Sequence, residues 1–359
     1  MLRRLALVCA LLLSGCGTAD EPAEGATYLG QMQLEPGATF DGTVIGGLSG
    51  LSYDPESQLY YMVSDDRSET NPARFYTARI TLSGNGVDVV EFDSTHPWLD
   101  KDGKPFPPLN AGASPPVPPD PEGIAFDGRR HQLYWSSEGE RDGAVLLDPW
   151  VRIATLDGAY VGEFALPPVL HMSDGPTGPR QNRALEALTL TPSGRYLFAG
   201  MEGPGYNDGE LPTESNGALT RVTRFDVETR AATAQYAYPL DKVSSGPGGD
   251  NGLTDIVAID DENFVAVERG FGTHTASRVY RVSVGDAEDV LARPSLTGSS
   301  VKTMTKTLLV DLTTAVDPLD NIEGITLGPK LSDGRQSLVM VSDDNFSPQQ
   351  ITQFLAFAL

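Results

Sequence analysis

Acidic residues in this chain recur in pairs at a repeating distance. Glu122 and Glu138 are 16 residues apart, as are Glu186 and Glu202. Asp255 precedes Glu268 by 13 residues, and Glu323 precedes Asp343 by 20. Asp65 follows Ser49 by 16, so that unit has acid at its far end only. Carboxylates gathered near one point repel unless protons or cations sit among them. An all-oxygen set suits Ca²⁺, which takes roughly six to eight oxygen ligands. Zinc does not fit: there are four His and two Cys, none in a ligand spacing. The metal-ligand candidates are therefore Asp65, Glu122, Glu186, Asp255, Glu323 and Asp343. Glu138, Glu202 and Glu268 are candidates for further ligands or bases. Arginines accompany these acids: Arg67, Arg141, Arg183 and Arg269. Arg183 and Arg269 could hold an anionic substrate beside the cation, because a guanidinium fork matches a carboxylate or phosphate. Structural pairing with the acids is the competing role for each.

Other chemistry is poorly supported. Gly47-Leu48-Ser49-Gly50 has the wrong spacing for a nucleophile elbow, and the sequence has no P-loop, H-E-x-x-H or dinucleotide fingerprint. His274, after the acidic end of the fourth unit, could act as a general base near the mouth, but it reads more simply as an ordinary loop residue. Lys and Arg total 26 against 49 Asp and Glu, a net charge of −23. That argues against nucleic acid as a partner, since phosphate backbones need a basic footprint. A small anionic ester or phosphoester remains open if a cation mediates the contact.

The elements that position the acids repeat as well. Each pair brackets two short apolar runs around a turn, such as Glu122-Gly123-Ile124-Ala125-Phe126, Asp127-Gly128 and Leu133-Tyr134-Trp135. Alternating apolar residues about such turns mark hairpins. The five hairpins start at 49, 122, 186, 255 and 323, a mean interval of 68.5 residues. Two more strand-like runs follow each hairpin, except the last, which has one. Four strands per unit, repeated radially, predict an all-β chain folded as a β-propeller. Five blades fit the length, and a sixth would have to hide in a loop. The unused run at Tyr28–Leu34 is expected to close the ring as the missing outer strand. In such a ring the start of strand one meets the end of strand two on one face, so the acids converge at an axial mouth. Gly (38) and Pro (27) suit many turns, and 40 % hydrophobic residues suffice for a core. Asp102–Pro121, with eight prolines, reads as a long surface loop.

The N-terminus reads as an address. Arg3 and Arg4 precede an apolar run, Leu5–Leu13, that is too short to span a bilayer. Leu13-Ser14-Gly15-Cys16 resembles a bacterial lipobox, which would leave residues 1–15 as a signal peptide and Cys16 as the lipidated N-terminus. Residues 16–26 would form a tether and 27–359 a single domain. The expected location is the cell envelope, with the outer membrane favoured by Gly17 and the membrane reached through the lipid at Cys16. A monomer is expected.

With the hairpins in place, the chain resembles the phytase-like family, described as having esterase-like activity of phytase. The likeness is carried by the strand starts at Glu122, Glu186 and Glu323, and by Ser64-Asp65-Asp66. Asn182-Arg183-Ala184-Leu185-Glu186 and the terminal Ser342-Asp343-Asp344-Asn345-Phe346 add to it. It covers roughly residues 40–358 and implies a secreted or periplasmic propeller that hydrolyses esters or phosphoesters. Calcium-dependent propeller phytases are a more distant comparison. The two functional expectations are a Ca²⁺-dependent hydrolase, with a lactonase as a variant, and a non-catalytic ligand-binding or scaffold propeller with structural calcium.

Overall fold

A computed structural model describes residues 25–108, 117–142, 145–298 and 300–359. Residues 1–24, which include the expected signal peptide and Cys16, lie outside the described residues. The chain folds into five four-stranded antiparallel sheets. Blade one comprises Leu48–Asp54, Leu59–Ser64, Arg74–Ser83 and Gly86–Pro97. Blade two comprises Pro121–Asp127, Gln132–Ser137, Trp150–Thr155 and Tyr160–Glu163. Leu185–Leu190, Tyr196–Met201, Ala218–Asp226 and Ala231–Leu240 make blade three. Blade four runs through Gly252–Ala258, Asn263–Gly270, Ala276–Ser283 and Thr305–Asp311. Blade five has Ile322–Lys330, Gln336–Ser342 and Gln353–Ala358, and takes Thr27–Gln33 as its outer strand. The first strands contact one another in cyclic order, so they line the axis. Five blades, and closure by the N-terminal strand, match the sequence expectation.

The second strands read as continuous apolar runs because both faces are covered. Phe264 and Ala266 pack toward blade three, while Val265 and Val267 pack toward blade five. Val339 and Val341 face blade one, and Leu338 and Met340 face blade four. Each seam between blades thus has its own core. Aromatics fill the seam between blades one and two, where Trp98 stacks on Trp135 at 4.7 Å. At the closing seam Gly30 and Gly86 meet backbone to backbone; a Cβ on Gly86 would lie 2.5 Å from Gly30. Only glycine permits that approach.

Candidate metal and substrate site

A register shift opens the first strand of every blade. It falls between Leu48 and Gly50, Leu185 and Ala187, Leu253 and Asp255, and Ile322 and Gly324. Blade two has a wider one between Pro121 and Ile124. A bulge leaves a residue unpaired and re-aims its side chain. The residues freed in this way are Ser49, Glu186, Thr254 and Glu323, with Glu122 in the wider bulge. Opposite them, second strands pair through Ser64, Ser137, Met201 and Ser342, and the next residue is Asp65, Glu138, Glu202 or Asp343.

Blade four departs from this pattern. Leu253 pairs with Glu268, so the residue equivalent to the acids is Arg269. The bulge residue is Thr254, and Asp255 occupies the slot of Gly50, Ala187 and Gly324. Two sequence expectations are corrected here by one residue each. Asp255 does not line the cavity; it is buried and accepts the amides of Leu188 at 3.3 Å, Ile256 at 2.8 Å and Ile325 at 2.9 Å. It ties blades three, four and five together. Glu268 is likewise spent structurally. It accepts from Tyr238 Oη (2.9 Å), Asp241 N (2.9 Å), Asn251 Nδ2 (2.7 Å) and Lys306 Nζ (2.5 Å).

The remaining acids converge. A cavity of about 400 Å³ at the axial mouth is lined by Asp65, Asp120, Glu122, Glu186, Glu323 and Asp343, together with Asp250 at its rim. Arg269 is the one basic residue among the described lining residues. Glu138 and Glu202 sit one layer back. Carboxylate oxygens of Asp120, Glu122 and Glu138 lie within 4.8 Å of one another, and so do those of Glu138, Glu186 and Glu202. Glu138 belongs to both groups. Its Oε1 accepts the Ala184 amide at 2.5 Å, while its Oε2 is buried without a partner. Glu202 Oε1 accepts from Arg183 at 2.6 Å, and its Oε2 is also buried and unpaired.

Burial and mutual repulsion push these carboxyls up. Asp65, Glu122, Glu138, Glu186 and Asp343 are raised well above the usual range, desolvation first and neighbouring carboxylates second. Asp120 is pushed up to about 6, although Arg67 pulls the other way. Glu323 rises less because Arg269 lies against it.

The two predicted anion-holding arginines differ. Arg183 has both terminal nitrogens committed, to Glu202 at 2.6 Å and Asp250 at 2.5 Å, and it braces the wall instead of lining the cavity. Arg269 reaches inside: Nη2 donates to Glu323 Oε1 at 2.5 Å, Nη1 is 3.7 Å from Glu202, and Nε is buried without an acceptor. Sequence reasoning missed Asp120, hidden at the end of the Pro-rich loop, and Asn321, which donates to Glu323 and Asp343 at 3.0 and 3.2 Å. The signal was available, since both directly precede a first strand. Asn345 lines the cavity; Asn251 is turned to Glu268.

The five-bladed propeller with its acidic axial mouth agrees with the family comparison. The phytase-like family, "Esterase-like activity of phytase", matches residues 43–346. The chain belongs to this family. Curated proteins give no match. Several solved structures are similar at low identity. A family-43 β-1,3-galactosidase solved with galactodeoxynojirimycin has a TM-score of 0.50 at 8 % identity, covering 91 % of this chain and 94 % of that one. The periplasmic gluconolactonase PpgL of Pseudomonas aeruginosa gives 0.37 at 12 %, over 93 % and 98 %. A family-43 enzyme from a capybara gut metagenome gives 0.45 at 11 %, over 92 % of this chain and 57 % of that chain. This chain therefore spans little more than half of that longer protein.

Proposed function

We propose that the axial cavity holds divalent cations, calcium being the best match, and hydrolyses a small anionic ester, a phosphoester foremost. The observation that carries this reading is the pair of buried, unpartnered oxygens, Glu138 Oε2 and Glu202 Oε2. A buried polar atom left without a partner costs roughly 1–3 kcal/mol, and more when charged. The donors fit a hard cation: all are oxygens, several share one cavity, and Glu138 and Glu202 each keep one carboxylate oxygen without a hydrogen bond. Asp120, Glu122, Glu138, Glu186 and Glu202 would hold it. A bound cation there would neutralise the carboxylates, polarise the ester's oxygen and lower the pKa of water.

The chain's own residues supply the rest. Arg269 lines the cavity and keeps a buried Nε donor with no acceptor in the protein, available to an anionic oxygen. Asn321 and Glu323 fix its guanidinium side of the cavity, and Arg183 fixes Glu202. Without a cation, burial and the neighbouring Glu138 and Glu202 carboxylates hold the Glu186 carboxyl well above the usual carboxylate range. Blade four is the break in the ring of acids, so the anion belongs on its side and the cations on the side of blades two and three. Lipid attachment at Cys16 and an outer-membrane location are part of the same proposal, tested by labelling with radioactive palmitate and its loss in Cys16→Ser.

The test is hydrolysis of 4-nitrophenyl phosphate, 4-nitrophenyl acetate and a lactone, with chelator and then with Ca²⁺ or Mg²⁺. Glu186→Gln should fold, bind the cation more weakly and lose turnover at least a hundredfold. The absence of cation-dependent turnover on all three would leave the second reading, a binding propeller. The ion pairs Arg183–Glu202 and Arg269–Glu323 favour that reading.

A further inference from the structure

Phe271 has the most exposed large apolar side chain among the described residues, at 51 %, yet it lines the carboxylate cavity. It follows Arg269 by two residues in the loop that leaves blade four. That loop is held firmly. Phe271 N donates to Asp250 Oδ1 at 2.6 Å, and Asp250 N donates back to the Phe271 carbonyl at 3.0 Å. Arg183 grips the other oxygen of Asp250 at 2.5 Å. The flanking glycines press the backbone against the loop at 245–250. A Cβ on Gly270 would lie 2.3 Å from the Asp250 carbonyl oxygen, and one on Gly272 would lie 2.7 Å from that of Ser245. A ring displayed by a braced backbone and left in water has its main gain still to come, through burial against a ligand.

We propose that Phe271 forms the wall of an apolar subsite, which takes the aromatic group of an anionic ester whose charged end lies on Arg269. Blade four would then read both ends of the substrate: Arg269 the anion, Phe271 the ring. The proposal deepens the reading above for its reaction, but its binding part stands by itself. It makes the substrate class an aryl, not a simple alkyl, ester of phosphate or a similar acid.

The probes are phenylphosphonate and methylphosphonate, which share the anion, differ in the ring and cannot be hydrolysed. Binding to the calcium-loaded full-length protein is measured by isothermal titration. The wild type should bind phenylphosphonate about tenfold more tightly, the scale of one aromatic contact with its buried area. Phe271→Ala should erase the difference while leaving methylphosphonate within twofold, and Phe271→Tyr should keep it. A melting curve verifies that Phe271→Ala folds. Equal affinity for the two probes in the wild type, failure of both to bind, or a preference that survives Phe271→Ala would overturn the subsite. Hydrolysis of phenyl phosphate by the same preparations separates the two readings. Ring-dependent binding without turnover refutes the hydrolase and leaves the subsite; turnover without ring discrimination does the reverse.

Discussion

Raising the pH of the metal-free protein from 4 to 7.5 should destabilise it. Asp120 sets the scale. Burial pushes its carboxyl from 3.8 to about 6 in the folded chain. Between those values the native state binds more protons than the unfolded state. The slope of unfolding free energy against pH is therefore negative, so stability is lost as pH rises. A shift of about two units corresponds to about 3 kcal/mol for this group alone. Asp65, Glu122, Glu138, Glu186, Glu323 and Asp343 shift in the same direction. Against a total stability of about 5–15 kcal/mol, that is a large share. Asp127, Asp241 and Asp250 are lowered instead, and the stability they add is fully present above the unfolded carboxylate value. They therefore do not mask the loss. At about 1.4 °C per kcal/mol for a domain of this size, the melting temperature in chelator should fall by at least roughly 4 °C. Differential scanning fluorimetry in EDTA, repeated with millimolar Ca²⁺, reads this directly. A melting temperature that is flat or rising with pH in EDTA would refute the clustering of high-pKa carboxyls.

Other perturbations separate structure from function. Asp255→Ala strips the Leu188 and Ile325 amides of their acceptor and should cost about 2–5 kcal/mol by denaturant unfolding. Its cation affinity should stay within twofold of wild type, and a tenfold loss would restore Asp255 as a ligand. Arg269→Gln should weaken binding of an anionic ester or phosphonate by about 10–100-fold, the worth of a charge-assisted hydrogen bond. Calcium affinity in that variant should hold or rise, because a positive charge leaves the cavity. Phe198→Ala, at the seam where Phe198 meets Phe264 at 4.7 Å, should cost about 3–5 kcal/mol without changing Ca²⁺ affinity.

The propeller was legible because period, turn residues and alternating apolar runs agree, and because one strand was missing at one end and spare at the other. The site was legible only in part. In blade four, matching acid to acid put Asp255 beside Glu186 and Glu268 beside Glu202. The bulge makes strand one count differently from an unbroken strand, and a one-residue slip turns a side chain to another place. Matching the apolar residue of each start would have found it: Leu51, Ile124, Leu188, Ile256 and Ile325 share a slot, which makes Thr254 the partner of Glu186. That Arg269 replaces an acid was hidden for the same reason. Arg183 looked like an anion clamp because its carboxylate partner Asp250 lies 67 residues away and only the fold brings them together.

Calcium binding to the purified protein, read by isothermal titration together with melting in chelator, tests the central claim most directly. The expected result is a saturable heat and a stabilisation of about 2.7 kcal/mol at a hundredfold excess over the dissociation constant. Glu138→Gln, which removes charge from the residue shared by both carboxylate groups, should weaken that affinity at least tenfold. No heat and no melting shift with millimolar Ca²⁺ or Mg²⁺ would contradict a cation site, and would mean that protons and the arginines Arg67, Arg183 and Arg269 hold the carboxylates together.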